Sequence, residues 1–296
     1  MIGIEERAAV VVLVRRGGGS WPEIADRIAA KGSALALLHD DLDEAGQGAL
    51  FEVHDSAAEL SDAIEDVRTW ETEGMRLLTV LDPDYPLNLR LVREQPPFLF
   101  ARGNVIDDEL SVAVVGTRQP SDRGVRYATD IARGLAERGV TVASGLAQGI
   151  DTAAHKAALG VGGRTVAVIG TGLRRYYPAP NAWLQRRISD DGLVLSQFWP
   201  DAPPTKQSFP MRNAVMSGYC LATVVIEALE KSGARMQARL ALEHGRHVFL
   251  MRSLLEHEWA RNYSGRPNTT VIDDAQQVFD ELDRLRPVVV DELTWA

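Results

Sequence analysis

The sequence lacks the features of several protein classes. It has one cysteine, Cys220, in 296 residues, so it cannot form an internal disulfide or a zinc site built from several cysteines. No apolar run approaches the roughly 18 residues that a membrane span needs. Glu5 and Glu6 stand where a secretory signal would carry basic residues. We therefore expect a cytoplasmic protein that does not enter a membrane.

The net charge of −9 is unevenly distributed. An acidic chain is an unfavourable partner for a polyanion, yet residues 1–100 carry 9 basic and 19 acidic side chains, residues 101–265 carry 20 and 15, and residues 266–296 carry 3 and 7. The middle segment is therefore mildly positive, at +5, and the acidity belongs to the two ends. The composition of the whole chain, 45% apolar and 25% charged, is that of a folded globular protein.

Residues 1–75 are predicted to form a small helical domain. The stretch Ile4 to Val14 is rich in apolar residues, and Ser20 and Glu23 form a capping box before the next helix. Further helices are predicted at Ala34 to Leu38 and from about Ser56 to Glu73. Helix-turn-helix DNA binding is conceivable, but the acidity of this segment disfavours it. An interaction or spacer domain is the better interpretation.

Residues 76–110 contain four prolines between positions 82 and 103 and are predicted to be an extended connector. Residues 111–265 then alternate short β-branched runs with amphipathic stretches, which predicts a doubly wound α/β domain with a Rossmann-like parallel sheet. Residues 266–296 are predicted to be a tail that packs on this core. The candidate strands are Val112–Val115, Val140–Ser144, Thr165–Ile169, Leu193–Gln197, Thr223–Glu227 and His247–Leu250.

The loops after the strands are the natural place for a ligand in such a sheet. The first loop, Gly116-Thr117-Arg118, opens a helix whose free N–H groups suit phosphate. It matches neither the GxGxxG nor the GxxxxGK[ST] pattern, which disfavours a dinucleotide or an ATP site. A plain tight turn is the competing interpretation.

The second loop runs from Ser144 and Gly145 through Gln148 to Asp151. We expect Asp151 to cap the helix that carries His155, with His155 bonded to Asp151 or to backbone. The pair has no nucleophile or second metal ligand nearby in the sequence. It is therefore not assigned a catalytic role.

The later loops add basic and aromatic residues. Arg174 lies beside Arg175, Tyr176 and Tyr177, a mixture that suits a nucleic-acid strand, although the tyrosines could equally pack the loop down. Arg212 and Asn213 begin a helical pattern that can bind an anion, and a solvated charge with a cap competes with this interpretation.

After the fifth strand, Ser232 and Gly233 again open a helix. Glu227 ends that strand. Since a carboxylate repels phosphate, we expect it to accept hydrogen bonds from a base, a sugar hydroxyl or loop backbone.

These loops, in this order, resemble the DprA family, also called Smf. The resemblance rests on Val114 to Arg118, Ser144 to Asp151 with His155, Gly170 to Leu173 with Tyr177-Pro178, Phe209 to Asn213, and Glu227 with Ser232-Gly233. It covers residues 76 to 250 well, and the N-terminal helices more weakly resemble the family's sterile-alpha-motif-like domain.

The resemblance implies a protein that holds and protects single-stranded DNA as a homodimer and helps to load a RecA-type recombinase in natural transformation or recombination. No catalytic residue, metal or cofactor is expected. Together with the loop chemistry it predicts one nucleic-acid-binding set: Gly116, Thr117, Arg118, Ser144, Gly145, Gln148, Arg174, Arg212, Asn213, Ser232 and Gly233.

The sequence also departs from the family pattern. Ala214 replaces a further arginine, Met251-Arg252-Ser253 replaces Pro-Gly, and the end at Ala296 predicts a member without the winged-helix domain. These differences would fit a specialised paralogue, for example in antiphage defence. Two alternatives remain open: a sensor or hydrolase of a nucleotide derivative, as in the related Lonely-guy fold group, and an assembly component docked through its acidic helices.

Overall fold

The computed structural model describes residues 2–46 and 56–285, which form helices around one mixed sheet. The helices in this part of the chain are α1 (Ile4–Arg16), α2 (Trp21–Lys31), α3 (Ala34–Gly46), α4 (Ser56–Thr72), α5 (Leu87–Arg90), α6 (Asp122–Glu137), α7 (Ile150–Gly160), α8 (Ala182–Asp191), α9 (Ser208–Tyr219), α10 (Gly233–Glu243), α11 (Glu258–Ser264) and α12 (Ala275–Leu285). The strands are β1 (Arg76–Thr79), β2 (Phe98–Gly103), β3 (Ser111–Val115), β4 (Thr141–Ser144), β5 (Thr165–Val168), β6 (Leu193–Ser196), β7 (Ala222–Val225), β8 (His247–Met251) and β9 (Thr269–Ile272).

The sheet confirms the predicted doubly wound α/β fold. Its strand order is β1-β2-β6-β5-β4-β3-β7-β8-β9, and all neighbours from β6 to β9 pair in parallel. The six predicted strands are all present, with ends within two residues of their predicted positions. Strands β4 to β6 extend from one side of β3 and β7 to β9 from the other. The topological switch point therefore lies between β3 and β7, where ligands bind in folds of this kind.

The predicted connector is structurally part of the sheet. Strand β2 pairs antiparallel with β6, β1 pairs antiparallel with β2, and the four prolines lie between and beside these strands rather than inside them. Proline at a strand boundary costs no ladder hydrogen bond, so it does not exclude a strand nearby. Residues 76–79 and 98–103 of the predicted connector are thus strands of the sheet.

The predicted tail also contains regular structure. Strand β9 extends the parallel sheet beyond β8, and α12 places Phe279 against Gly134 of α6. A Cβ atom at Gly134 would lie 2.2 Å from the Phe279 ring, so the glycine makes room for this contact. Residues 286–296 of that predicted tail lie outside the described residues. The division of the chain into domains stays a prediction.

The N-terminal helices form where the sequence predicts them and pack on the edge of the sheet. The Ser20 and Glu23 capping box is present. Trp21 packs on Phe98 with 5.2 Å between ring centroids, and Trp70 packs edge-on to Phe100 at 4.9 Å. Such pairs each stabilise by about 0.5–1.5 kcal/mol beyond the area that they bury.

A buried ion pair adds a polar link between α1 and the turn after β1. Arg7 donates from Nη2 to Oδ1 of Asp82 over 3.0 Å, and both side chains are almost fully buried. Asp82 also accepts from the backbone N–H of Thr79 through its other oxygen.

Among the described residues, no helix is both long and apolar enough to cross a membrane.

Candidate nucleic-acid interface

A cavity of about 340 Å³ opens at the switch point, outside the carboxyl ends of β3 and β7. Its walls come from the loop after β3, the start of α7, the start of α9, and the loop after β7 with the start of α10, so four separate segments of the chain meet there. The lining residues are Val115, Gly116, Thr117, Arg118, Ala147, Asp151, Phe209, Arg212, Asn213, Met216, Leu229, Lys231, Ser232, Gly233, Ala234 and Gln237.

A second cavity of about 90 Å³ shares four residues with the first, Arg118, Ala147, Phe209 and Arg212. The loops after β4 and β5 complete it through Gly145, Gln148, Gly170, Tyr177 and Pro178. The two cavities together form the candidate site, which we call the switch-point pocket.

The loop after β3 is held by Glu227, at the end of β7. The N–H of Ser121 donates to Oε2 of Glu227 over 3.0 Å, the Ser121 hydroxyl donates to Oε1, and the N–H of Thr117 donates to the Glu227 carbonyl over 2.8 Å. Of the three partners proposed for Glu227, loop backbone is therefore the one observed. Gly124 packs against this carboxylate, since a Cβ there would lie 2.5 Å from it.

Two N–H groups at the start of α6 are used within the protein. The Gly124 N–H donates to the Ser121 hydroxyl over 3.0 Å, and the Ser121 N–H donates to Glu227. Glu227 also places a carboxylate beside this turn. The positive charge that the loop offers to the pocket is that of the Arg118 side chain.

Arg118 is an exposed cation of the pocket. Its guanidinium lies 5.9 Å from the centroid of the Phe209 ring, and its side chain is exposed. It forms no hydrogen bond or ion pair with any residue that the structure describes. Lys231 is a second exposed cation on the wall of the larger cavity.

The loop after β4 is folded around Asp151. Oδ2 of this buried carboxylate accepts the N–H groups of Gly145 over 3.1 Å and Ala147 over 3.2 Å. It does not cap its own helix, because Gly149 holds the N-cap position of α7 and no side chain bonds there. The predicted cap was therefore wrong, and Asp151 shapes the pocket wall instead. Burial raises its pKa, and the charge of Arg212 and the two N–H groups oppose this rise.

Arg212 is a buried cation beneath the pocket floor. Its Nη1 donates to the Val168 carbonyl over 2.8 Å, while its Nε has no partner among the described residues. Burial lowers its pKa, the negative charge of Asp151 opposes that shift, and Arg118 reinforces it. A buried guanidinium with unused hydrogen-bonding capacity is well suited to an incoming anion.

Asn213, Ser232 and Gly233 build the opposite wall. Nδ2 of Asn213 donates to the Gly233 carbonyl over 3.2 Å, and the Ser232 hydroxyl caps α10 by accepting the Arg235 N–H over 3.2 Å. Their side chains are thus used within the protein. They place the first turn of α10 at the cavity, with Gly233 and Ala234 in its lining.

Two residues of the predicted set line neither cavity. Ser144 is fully buried and its hydroxyl donates to the Val114 carbonyl over 2.7 Å. Arg174 is paired with Glu73, at 2.7 Å, and with Asp201. The remaining members line one or both cavities: Gly116, Thr117, Arg118, Gly145, Gln148, Arg212, Asn213, Ser232 and Gly233.

Sequence reasoning left Phe209, Lys231 and Asp151 out of the predicted set. The signal for Phe209 was its place three residues before Arg212, which puts both on one face of α9. Nδ1 of His155 lies 2.7 Å from the Thr165 hydroxyl, and His155 is not bonded to Asp151. Burial, and then the charge of Arg212, lower its pKa to about 3.

No group of three or more His, Cys, Asp or Glu side chains within residues 2–46 and 56–285 is arranged to hold a metal ion.

The switch-point pocket presents two guanidiniums, an ammonium, an aromatic ring and backbone amides. Fold and site together define a doubly wound α/β protein with a cationic pocket at its switch point.

Comparison with known proteins agrees with this class and identifies the family. The family model described as "DNA recombination-mediator protein A" matches residues 76–285, and the chain belongs to this family. The DNA processing protein DprA of Streptococcus pneumoniae is 45% identical over 174 residues, which are 58% of this chain and 61% of that protein. The match thus spans less than two thirds of that relative.

Two solved structures have the same fold. The X-ray structure of DprA from Streptococcus pneumoniae superimposes with a TM-score of 0.66 and 29% identity, covering 95% of this chain and 98% of that one. A structure of DNA processing protein A from Helicobacter pylori, described by its single-stranded DNA binding mode, gives 0.64 and 26%, covering 71% and 96%.

Proposed function

We propose that this protein binds single-stranded DNA in the switch-point pocket through phosphate contacts. The observation that carries the proposal is the pair of arginines there. Arg118 is exposed and has no acidic partner among the described residues, and Arg212 beneath it is buried with an unpartnered Nε. Two guanidiniums at one cavity that still have N–H groups to donate are suited to bind a polyanion.

The family relationship supports single-stranded DNA as that polyanion. The Helicobacter pylori relative is described as binding single-stranded DNA. The match in fold covers 96% of that relative's chain and 71% of this one. The pocket also offers Phe209 and Tyr177, whose rings lie 5.9 Å apart and can contact unpaired bases. Phosphate contacts with base stacking give affinity that tolerates any sequence.

The wider role is proposed on the family relationship. We infer that the protein acts in the cytoplasm as a homodimer, and that it assists a RecA-type recombinase in DNA recombination or natural transformation. A specialised role, such as antiphage defence, remains a prediction from the sequence departures. No catalytic residue and no cofactor is proposed.

A nucleotide-derivative site is the weaker candidate. Its motivation was a ribose contact from Glu227, but both oxygens of that carboxylate already accept hydrogen bonds from Ser121. Glu227 also lines neither cavity, so its carboxylate is not placed to contact a sugar hydroxyl in the pocket. This observation favours the phosphate-binding proposal.

Binding of labelled single- and double-stranded oligonucleotides by the wild type, Arg118→Ala and Arg126→Ala tests the proposal. Arg126 is a matched control, because it is also exposed, lies on α6 and lines neither cavity. We expect tighter binding of the single strand, weakened by Arg118→Ala and unchanged by Arg126→Ala. Equal loss in both variants, or no binding by the wild type, would contradict the proposal.

A further inference from the structure

An unassigned surface next to the pocket carries aromatic rings and unpaired cations. Three aromatic side chains are exposed in the part of the chain that the structure describes, and all lie between positions 176 and 183. They are Tyr176 and Tyr177, each 38% exposed, and Trp183, 50% exposed. Since exposed aromatic rings cost free energy in water, such a cluster usually marks a binding surface.

Two of these rings have a cation on or beside their face. The guanidinium of Arg186 lies 4.3 Å from the centroid of the Tyr176 ring, and Nζ of Lys156 lies 5.1 Å from that of Trp183. Both cations are exposed, and neither pairs with an acidic side chain among the described residues. The nearby Arg187 differs, since it is paired with Asp191.

The surface is continuous with the switch-point pocket. Tyr177 lines the smaller cavity, and Tyr176 is its neighbour in the chain. Asn181, at the start of α8, donates from Nδ2 to the Leu146 carbonyl over 2.8 Å and to the Thr152 hydroxyl over 2.9 Å. These bonds tie the helix that carries Trp183 to the loop that forms the pocket wall.

We propose that a single strand leaving the switch-point pocket continues across this surface. Bases stack on Tyr176 and Trp183 while Arg186 and Lys156 neutralise the phosphates between them. The inference rests on the proposed function and names a longer path for the same ligand. Alternating rings and cations on a rigid surface are what a flexible strand of any sequence requires, whereas duplex DNA keeps its bases stacked inside.

The experiment compares a short and a long oligothymidylate, of about 4 and about 16 nucleotides. Arg118→Ala is expected to weaken binding of both. Trp183→Ala is expected to weaken binding of the long strand about tenfold, in line with the loss of one stacked base, and to leave the short strand unchanged. Trp183→Phe should restore most of the affinity, because phenylalanine keeps a stacking face.

Leu91→Ala is the matched control, because Leu91 is an exposed apolar side chain, 71% exposed, that does not line the pocket. Quenching of tryptophan fluorescence gives a second readout: the long strand should quench the wild type more than Trp183→Phe at equal saturation.

The outcomes separate this inference from the proposed function. Wild-type affinity of Trp183→Ala for the long strand, with Arg118→Ala still impaired, would overturn the extended path alone. An equal loss for both strand lengths would also overturn it, because Trp183 would then act on the pocket itself. Absence of binding by the wild type would overturn the proposed function.

Discussion

A Cβ atom at position 145 would lie 1.8 Å from Nη1 of Arg212. The backbone of the loop after β4 thus rests directly on the buried guanidinium, and only glycine fits between them. The same loop is held from its other side by the Asp151 carboxylate. The position of Arg212 in the pocket therefore depends on a missing side chain as much as on its own hydrogen bond.

Gly145→Ala is expected to displace Arg212 or the loop, to abolish tight single-strand binding, and to cost about 1–3 kcal/mol of unfolding free energy through overpacking. Gly160→Ala is the matched control, because a Cβ there meets nothing within 4 Å. Urea unfolding and oligonucleotide titration of both variants check this. Wild-type behaviour of Gly145→Ala would contradict the packing argument.

Arg174→Ala is expected to leave oligonucleotide affinity unchanged, although the sequence placed Arg174 in the site. Glu73 and Asp201 already compensate its charge, and its side chain lines neither cavity. A loss of affinity comparable to that of Arg118→Ala would show that the ion pairs open to release Arg174 for DNA.

Glu227→Gln is expected to weaken binding severalfold, because the amide holds the loop that carries Arg118 less firmly than the carboxylate does. Glu230→Gln removes the same negative charge from the following turn and controls for electrostatic effects. Both affinities are measured by fluorescence anisotropy. If the two variants bind alike, Glu227 does not position the loop.

His155 makes stability depend on pH. Its pKa in the folded protein is about 3, mainly because the ring is buried, whereas an unfolded chain takes up the proton near pH 6.5. Between these values the unfolded state binds more protons, so acidification destabilises the fold, by up to about 1.4 kcal/mol per pH unit from this group.

The test of this prediction is urea unfolding of the wild type and of His155→Gln at a series of values between about pH 7 and about pH 4.5. Most of this range lies between the folded and unfolded pKa of His155, where its protonation affects stability. Asp151 acts in the opposite direction, since burial raises its pKa. Comparison with the variant isolates His155. The variant should lose stability less steeply on acidification, and an identical slope would contradict the buried neutral imidazole.

The central strands could be predicted because parallel strands covered on both faces are continuous apolar runs. Runs such as Val112–Val115 leave few alternatives. Strands β1 and β2 were missed because the prolines around them dominate the local pattern. The loops after the strands could be recognised as a site because parallel strands bring their carboxyl ends to one edge of the sheet.

The roles of individual side chains could not be predicted where distant residues decide them. Arg174 is neutralised by Glu73, 101 positions earlier, and Ser121 is bonded to Glu227, 106 positions later. Ser144 points into the core because of its place in β4. No local sequence pattern predicts such partners, so the composition of the loops alone overestimates the number of free cations.

Phosphate binding by Arg118 is the contact on which the proposed function depends. It is tested by the affinity of the wild type, Arg118→Ala and Arg126→Ala for a single-stranded oligonucleotide across a salt series. We expect log K to fall linearly with log salt concentration, and Arg118→Ala alone to lower the slope by about 0.7, which corresponds to one phosphate contact on a single strand. An unchanged slope in Arg118→Ala would contradict phosphate binding by Arg118.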